Sequence, residues 1–411
     1  MSEVATREPQ LRFPEFSDSL IKGALGDYAL IKRGAGSQYI EYSKDSKDSI
    51  RLIRIGDFLG GDAVFVRLTN AIQRFLLDEG DILIAGTGAT AGITFLVPTK
   101  FVGMAYSYNA PKIKVHKDNV SFFYQYLISP KIKIQQIRLF TGNAQPFLDT
   151  NAIKGFSIFK PPLQEQQKIA AFLAAVDSKI EQLSKKQALL GEYKKGLMQQ
   201  IFSQAIRFKA DDGSAFPVWE EKKLGDIGHT FNGLTGKTKD DFGRGKPYIQ
   251  YMQIFESSKI NIDNFGLVDV RDDENQKVAQ YGDVFFTTSS ETPDAVGYSS
   301  VLLDDIDKLY LNSFCFGFRP NSIDELSPNF AQFLLRSANF RRRVVRLAQG
   351  STRYNMSKVQ LMKEVISLPC LKEQTKIAIF LSSIDSKIEQ VGKQLDESKQ
   401  FKKALLQQMF V

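Results

Sequence analysis

Hydrophobic positions along the 411-residue chain follow two patterns, and each pattern occurs twice. From Ile169, apolar residues recur at alternating spacings of four and three through Leu173, Val176, Ile180, Leu183, Leu190, Leu197 and Ile201, with Gln187 and Lys194 in the remaining positions. That alternation keeps one stripe of a helix facing a partner helix. From Ile377 the stripe returns through Leu381, Ile384, Ile388, Val391, Leu395, Leu405 and Met409, with Ser398 and Lys402 as its polar members. Each stripe follows proline, Pro161-Pro162 and Pro369, where a missing backbone donor costs a helix start nothing. Two helices of about 38 residues are predicted, each about 57 Å long at 1.5 Å per residue.

Ahead of each stripe the period changes. Runs such as Asp81-Ile82-Leu83-Ile84 and Asp283-Val284-Phe285-Phe286, bounded by glycine and polar residues, predict strands. Stretches from Ser121 to Leu139 and from Ser327 to Leu347 predict helices, with Ser327-Pro328 as a helix start.

The two halves are a sequence repeat. PPLQEQQKIAAFLAAVDSKIEQ from Pro161 recurs as PCLKEQTKIAIFLSSIDSKIEQ from Pro369, an offset of 208 residues that holds without a gap to Phe202 and Phe410. The similarity extends backwards: the FPEF…LGD of Phe13 to Asp27 is matched to the FPVW…LGD of Phe216 to Asp226, Gly80-Asp81-Ile82 to Gly282-Asp283-Val284, and Gly142 to Gly350. The expected organisation is a globular domain over 1–160, a helix over 161–205, a second domain over 206–368 and a second helix over 369–411, with Ala210 to Ser214 as a turn-rich linker. The fold class is α+β. Two matched stripes in one chain can pair intramolecularly at high effective concentration, which favours a helix pair over a homo-oligomeric zipper or two amphipathic helices packed each on its own domain. The polar stripe members, with Gly191 and Gly392, weaken the seam and are expected to fix its register.

A net charge of +8 and a pI near 9.1 suit a nucleic-acid partner. The charge is patchy: residues 209–368 carry 22 acidic against 20 basic side chains, yet include the cluster Arg336, Arg341, Arg342, Arg343, Arg346 and Arg353. No run of about 18 apolar residues and no signal-peptide layout occurs, so a cytoplasmic protein with no membrane partner is expected. Cys315 and Cys370 lie far apart in apolar surroundings and predict free thiols rather than a disulfide or zinc site.

Catalytic signatures fail one by one. Gly236-Lys237-Thr238 resembles the end of a phosphate-binding loop, but Phe231 stands where its first glycine belongs. Pro293-Asp294 is followed by no acidic-x-Lys pair of a nuclease metal site, His116 and His229 form no dyad, and the Asn-Pro-Pro-aromatic motif of adenine methyltransferases does not occur. No catalytic, metal or cofactor residue is expected. Recognition remains. Gly142 to Phe147, with Asn143 and Gln145, and Gly350 to Asn355, with Ser351, Thr352, Arg353 and Asn355, offer amides, hydroxyls and a guanidinium suited to base edges and phosphates. Arg341, Arg342 and Arg343 share a predicted helix, with Lys131, Lys133 and Arg138 as a thinner first-half counterpart, and read as phosphate anchors.

The chain resembles type I restriction-modification specificity subunits. The residues that carry the resemblance are Pro161, Pro162, Leu163, Glu165, Gln166, Ile169, Ala170 and Phe172, repeated as Pro369, Leu371, Glu373, Gln374, Ile377, Ala378 and Phe380, with Cys370 departing where the first copy has Pro162. The resemblance implies two target-recognition domains, each reading one half of an asymmetric, interrupted double-stranded DNA target, and two long helices that pair. It implies two methyltransferase subunits and restriction subunits as partners, which would carry S-adenosylmethionine, ATP and Mg. Duplex dyads lie perpendicular to the DNA axis, so two similar domains reading separated sites are expected to be related by a pseudo-twofold, which makes the helix pair an antiparallel coiled coil spacing half-sites about 34 Å apart. Ile169, Leu173, Val176, Ile180 and Leu183, with Ile377, Leu381, Ile384, Ile388 and Val391, are the expected helix-pairing and partner-binding residues. A coiled-coil scaffold with duplicated protein-binding domains and an unrecognised nuclease are the alternatives.

Overall fold

The computed structural model describes residues 8–43, 48–140, 145–350 and 353–411. The long helices predicted from the stripes are present, Leu163–Phe202 and Leu371–Gln408. The chain forms two compact units, Met1–Lys185 with Gly392–Val411 and Lys186–Val391. The sequence segments 1–160, 161–205, 206–368 and 369–411 follow the repeat, whereas each compact unit takes one globular domain, the opening half of the helix that follows it and the closing half of the other helix.

In the first unit a four-stranded antiparallel sheet runs in the order Ala29–Lys32, Lys112–Val115, Ile82–Ile84, Thr94–Leu96. Its apolar face packs against the helix Val120–Leu127 in a core that holds Ile82, Ile84, Ile113, Phe122, Phe123 and Tyr126. A smaller three-stranded sheet, Phe65–Arg67, Ser49–Ile53, Ala105–Tyr106, contains the parallel pairing Leu52 with Ala105 and Ile53 with Tyr106.

The second unit repeats the order: Gly228–Asn232, Cys315–Pro320, Val284–Thr287, Ser299–Val301 form the antiparallel sheet, and Gly266–Val268, Phe242–Ile249, Tyr310–Leu311 the smaller one, again with its last pair parallel. The matched Gly-Asp turns do the same work in both. Gly80 and Gly282 adopt φ of +77° and +88°, which a side chain would strain. The buried carboxylates that follow meet a cation from the neighbouring strand: Asp81 with Lys112 at 2.9 Å, Asp283 with Arg319 at 2.6 Å.

Within each unit the helix segments are antiparallel. In the first, Ile169 and Leu173 share a core with Leu405, Leu406, Met409 and Phe410, and Asp177 pairs with Lys402 at 2.5 Å. In the second, Ile201 and Phe202 share a core with Ile377, Ala378 and Leu381, and Lys194 pairs with Asp385 at 2.5 Å. Higher numbers on one helix thus meet lower numbers on the other. The two ion pairs are the same pair repeated at the offset of 208, so the stripe lysines Lys194 and Lys402 find an opposite charge across the seam, which explains their place in an apolar row.

The Glu-Gln pair that opens each long helix locks helix to domain. Glu165, fully buried, accepts from Arg12 Nε at 2.8 Å and Nη2 at 2.7 Å; Glu373, equally buried, accepts from Arg207 Nε at 3.2 Å and Nη2 at 2.7 Å. Gln166 accepts from the Asn119 amide at 3.0 Å and donates to the Pro161 carbonyl, while Gln374 does the same with Ser327 at 2.9 Å and the Pro369 carbonyl. One side chain therefore satisfies backbone groups at the start of the long helix and at the start of the domain helix, which would otherwise be unpaired.

One matched pair is corrected. The partner of Phe13 is Phe208, not Phe216: Phe13 packs edge-on against Phe172 at 5.8 Å and Phe208 against Phe380 at 5.5 Å, each next to its clamping arginine. The second half carries an extra turn here, closed by Ala210 N donating to Ser214 O, which displaces the Phe-Pro motif downstream. Where Ile206 N donates to Gln200 O just beyond the first long helix, Leu11 N donates to Gln408 O in the first unit at 3.1 Å. The described N-terminal segment and the C-terminus therefore touch.

Candidate nucleic-acid interface

The two loops singled out by the repeat occupy the same frame. In the first domain Phe147 bridges Thr87, and Leu148 N donates to Gly86 O at 2.8 Å; in the second Asn355 pairs with Ser289, and Met356 N donates to Thr288 O at 2.9 Å. Gln145 and Arg353 stand two residues before these anchors and are both exposed. Gly350 has φ +133°, a conformation L side chains rarely adopt. Asn143, Ser351 and Thr352 lie outside the described residues. Asn355 is exposed on its strand.

The basic helices divide differently. On Pro130–Phe140, Lys133 and Arg138 are exposed and Lys131 is half-buried, and the helix is held down by Gln135 to the backbone of Ser157 and by Gln136 to Gly92 O. On Ala338–Arg346 the expectation of three phosphate anchors changes. Arg341 donates to the carbonyls of Gly297 at 2.6 Å and of Asp294 and Val296 at 2.8 Å, and its guanidinium sits over Tyr298 at 4.2 Å. Arg343 donates to Val365 O. Arg336 donates to the carbonyls of Ile254, Phe255, Ser257 and Ser299, and burial pulls its pKa down to about 10. Burial likewise lowers Arg341. These guanidiniums are engaged as internal staples, bonded to carbonyls at the end of the helix Tyr251–Glu256, at strand starts and in the turn before Ser299. Arg342, bonded to Asn339, and Arg346 remain on the exposed face.

Helical periodicity identified the shared face but could not reveal that backbone carbonyls from residues 254–299 cover part of it. Other candidates carry no periodic signal because they are scattered along the chain. Arg33 lies over the rings of Tyr108 at 4.5 Å and Phe147 at 5.5 Å, and Tyr108 and Phe147 are each about half exposed. A cleft of about 450 Å³ beside Tyr108 is lined by Tyr42, Arg54, Ser107 and Asn109. Cations interleaved with open aromatic faces suit nucleobases and phosphates together. In the second domain Phe314 is 60% exposed, and its carbonyl accepts from Thr288 N beside the Arg353 hairpin.

The residues weighed for chemistry are otherwise occupied. Lys237 pairs with Glu274, whose carboxyl this ammonium pulls down to about 2, and Thr238 bonds Asp241 at the start of a short turn. Burial pushes the Cys315 thiol up to about 12, which removes it as a nucleophile at neutral pH. Among the described residues no group of three or more His, Cys, Asp or Glu side chains could hold a metal ion, and no helix is long and apolar enough to cross a membrane.

The sequence matches the type I restriction modification DNA specificity domain twice, over residues 24–190 and 218–397. It is 27% identical over 365 residues to the type I restriction enzyme MjaVIII specificity subunit of Methanocaldococcus jannaschii, covering 83% of this chain and 80% of that protein. In structure it is similar to a chain from a study of complex assembly and conformational transition of the type I R-M system, at TM-score 0.59 and 19% identity, covering 94% of this chain and 96% of that one. It is also similar to the type I restriction-modification S subunit of M. genitalium, at TM-score 0.57 and 15% identity, covering 98% of this chain and 99% of that one. With two matches spanning most of its length, each over a globular domain and much of its long helix, the chain belongs to the type I restriction modification DNA specificity family.

Proposed function

We propose that this chain is the non-catalytic subunit that gives a type I restriction-modification enzyme its DNA sequence specificity. Each domain reads one half of an asymmetric, interrupted duplex target, and the helix pair carries two methyltransferase subunits, with restriction subunits joining them. S-adenosylmethionine, ATP and Mg act on those partners, and the target adenine is flipped into a methyltransferase pocket. The observation that carries this reading is the pair of equivalent loops on one repeated frame, with Gln145 in one domain where Arg353 stands in the other. A duplicated frame with exchanged side chains suits a reader of two unlike half-sites.

The test is reconstitution with the cognate methyltransferase subunit, followed by mapping of methylated adenines in random-sequence DNA. The expected result is methylation at one interrupted, asymmetric motif, with neither methylation nor cleavage by this chain alone. Robust methyl transfer or metal-dependent cutting by the isolated chain would overturn the proposal.

A further inference from the structure

In the first domain the parallel strands Ser49–Ile53 and Ala105–Tyr106 end side by side, and the cleft of about 450 Å³ opens at their carboxyl ends. The cleft is walled by the segments that leave those two strand ends, Arg54 to Gly56 and Ser107 to Asn109. Arg54, the next residue after the first of these strands, caps the following helical turn Ile55–Leu59 with extended backbone. Its Nη2 donates to Asp62 O at 3.1 Å, and its Nε is buried without a partner among the described residues. One Nη is thus anchored, and the Nη end of the guanidinium, not the buried Nε, is what the side chain can offer a ligand. The far wall is Tyr108, which carries Arg33 on its ring, and Arg33 also covers Phe147 of the Gln145 loop. Cleft and loop form one continuous surface.

The second domain has the same frame with a different side chain. Tyr248 and Ile249 pair in parallel with Tyr310 and Leu311, and the next residue, Gln250, caps the helix Tyr251–Glu256, again with extended backbone. Tyr251 beside it donates to Ser289 O at 2.8 Å, on the strand that pairs with Asn355 of the Arg353 hairpin. Gln250 therefore holds the position in the second frame that Arg54 holds in the first, next in the chain to a residue bonded to the sheet of the second recognition loop, with its amide beside Gly266.

We infer that Arg54 and Gln250 are matched base-reading positions, Arg54 taking a guanine edge in the first half-site and Gln250 an adenine edge in the second. The fork of an arginine suits the two acceptors N7 and O6 of guanine, and an amide suits the acceptor N7 and donor N6 of adenine. This inference rests on the proposed DNA-specificity role.

The experiment maps methylated motifs for the full chain reconstituted with its methyltransferase subunit, comparing wild type with Arg54→Gln, Arg54→Lys, Gln250→Ala and Gln250→Arg, alongside thermal midpoints. Expected is a loss of guanine preference by about 5- to 150-fold at one position of the first half-site for both Arg54 variants, with the second half-site unchanged. Arg54→Gln is expected to gain adenine there. Both Gln250 variants are expected to relax one adenine of the second half-site only. An unchanged motif, a uniform loss of rate over all sequences, or a lowered thermal midpoint in every Arg54 variant would overturn the inference and mark Arg54 as a phosphate contact or a structural residue. A wild-type complex without any interrupted motif would instead sink the DNA-specificity reading itself.

Discussion

Removing the Glu373 carboxylate should loosen the second unit where helix meets domain, and the chain carries its own reporter of that event. Glu373 accepts from Arg207 and from Trp219 Nε1 at 3.0 Å, and Trp219 is the one tryptophan in the sequence. Glu373→Ala leaves an indole N–H and a guanidinium without their acceptor at a fully buried helix start. Deleting one partner of a buried pair costs about 3 to 5 kcal/mol, but the Arg207 side chain is 27% exposed and water replaces part of the lost bonding, so about 2 to 3 kcal/mol is expected. With a urea dependence of about 2.5 kcal/mol/M, the tryptophan-detected midpoint falls by about 1 M. The first-unit counterpart, Glu165→Ala, releases only Arg12 and has no indole beside it, so it should lower the circular-dichroism transition more than the tryptophan one. A Glu373→Ala midpoint within about 0.2 M of wild type would refute the clamp. So would a tryptophan shift as large for Glu165→Ala as for Glu373→Ala.

Charge reversal at Lys194→Asp should destabilise the seam by about 1 kcal/mol, and adding Asp385→Lys should restore it; a double-mutant cycle with no coupling would remove the pair from the register argument. Arg341→Ala is expected to lower the thermal midpoint with little change in the salt dependence of DNA binding, whereas Arg342→Ala should leave stability intact and, if it meets phosphate, reduce the salt slope by about one. A reversed pattern would return Arg341 to the interface. Because Leu11 N donates to Gln408 O, a circular permutant opened between Ala210 and Ser214, with Val411 joined to the N-terminal segment, should keep its helix content and its partners; loss of folding would contradict the contact between the termini.

Much of the architecture was legible because it rests on periodicity and repetition. The stripe from Ile169 and its copy from Ile377 specify two long helices, and the Gly-Asp turns at Asp81 and Asp283 mark the same strand start twice. The role of Glu165 and Gln166 was not legible, since their partners Arg12 and Asn119 lie 153 and 47 residues away. The arginine cluster misled for a related reason: a helix face can be counted from sequence, but the carbonyls that occupy Arg336 and Arg341 come from distant segments of the chain. Arg33, Arg54 and Tyr108 are brought to one surface by strand ends, which no local pattern records.

The central claim is that the two domains read separate halves of one target. Mapping methylated adenines for complexes built with Gln145→Ala and with Arg353→Ala tests it most directly. The expected result is relaxation of one position in the first half-site for Gln145→Ala and of one position in the second for Arg353→Ala, each by about 1 to 3 kcal/mol, with the opposite half and the spacer unchanged. Changes in both halves from either single substitution, or an intact motif in both variants, would contradict it.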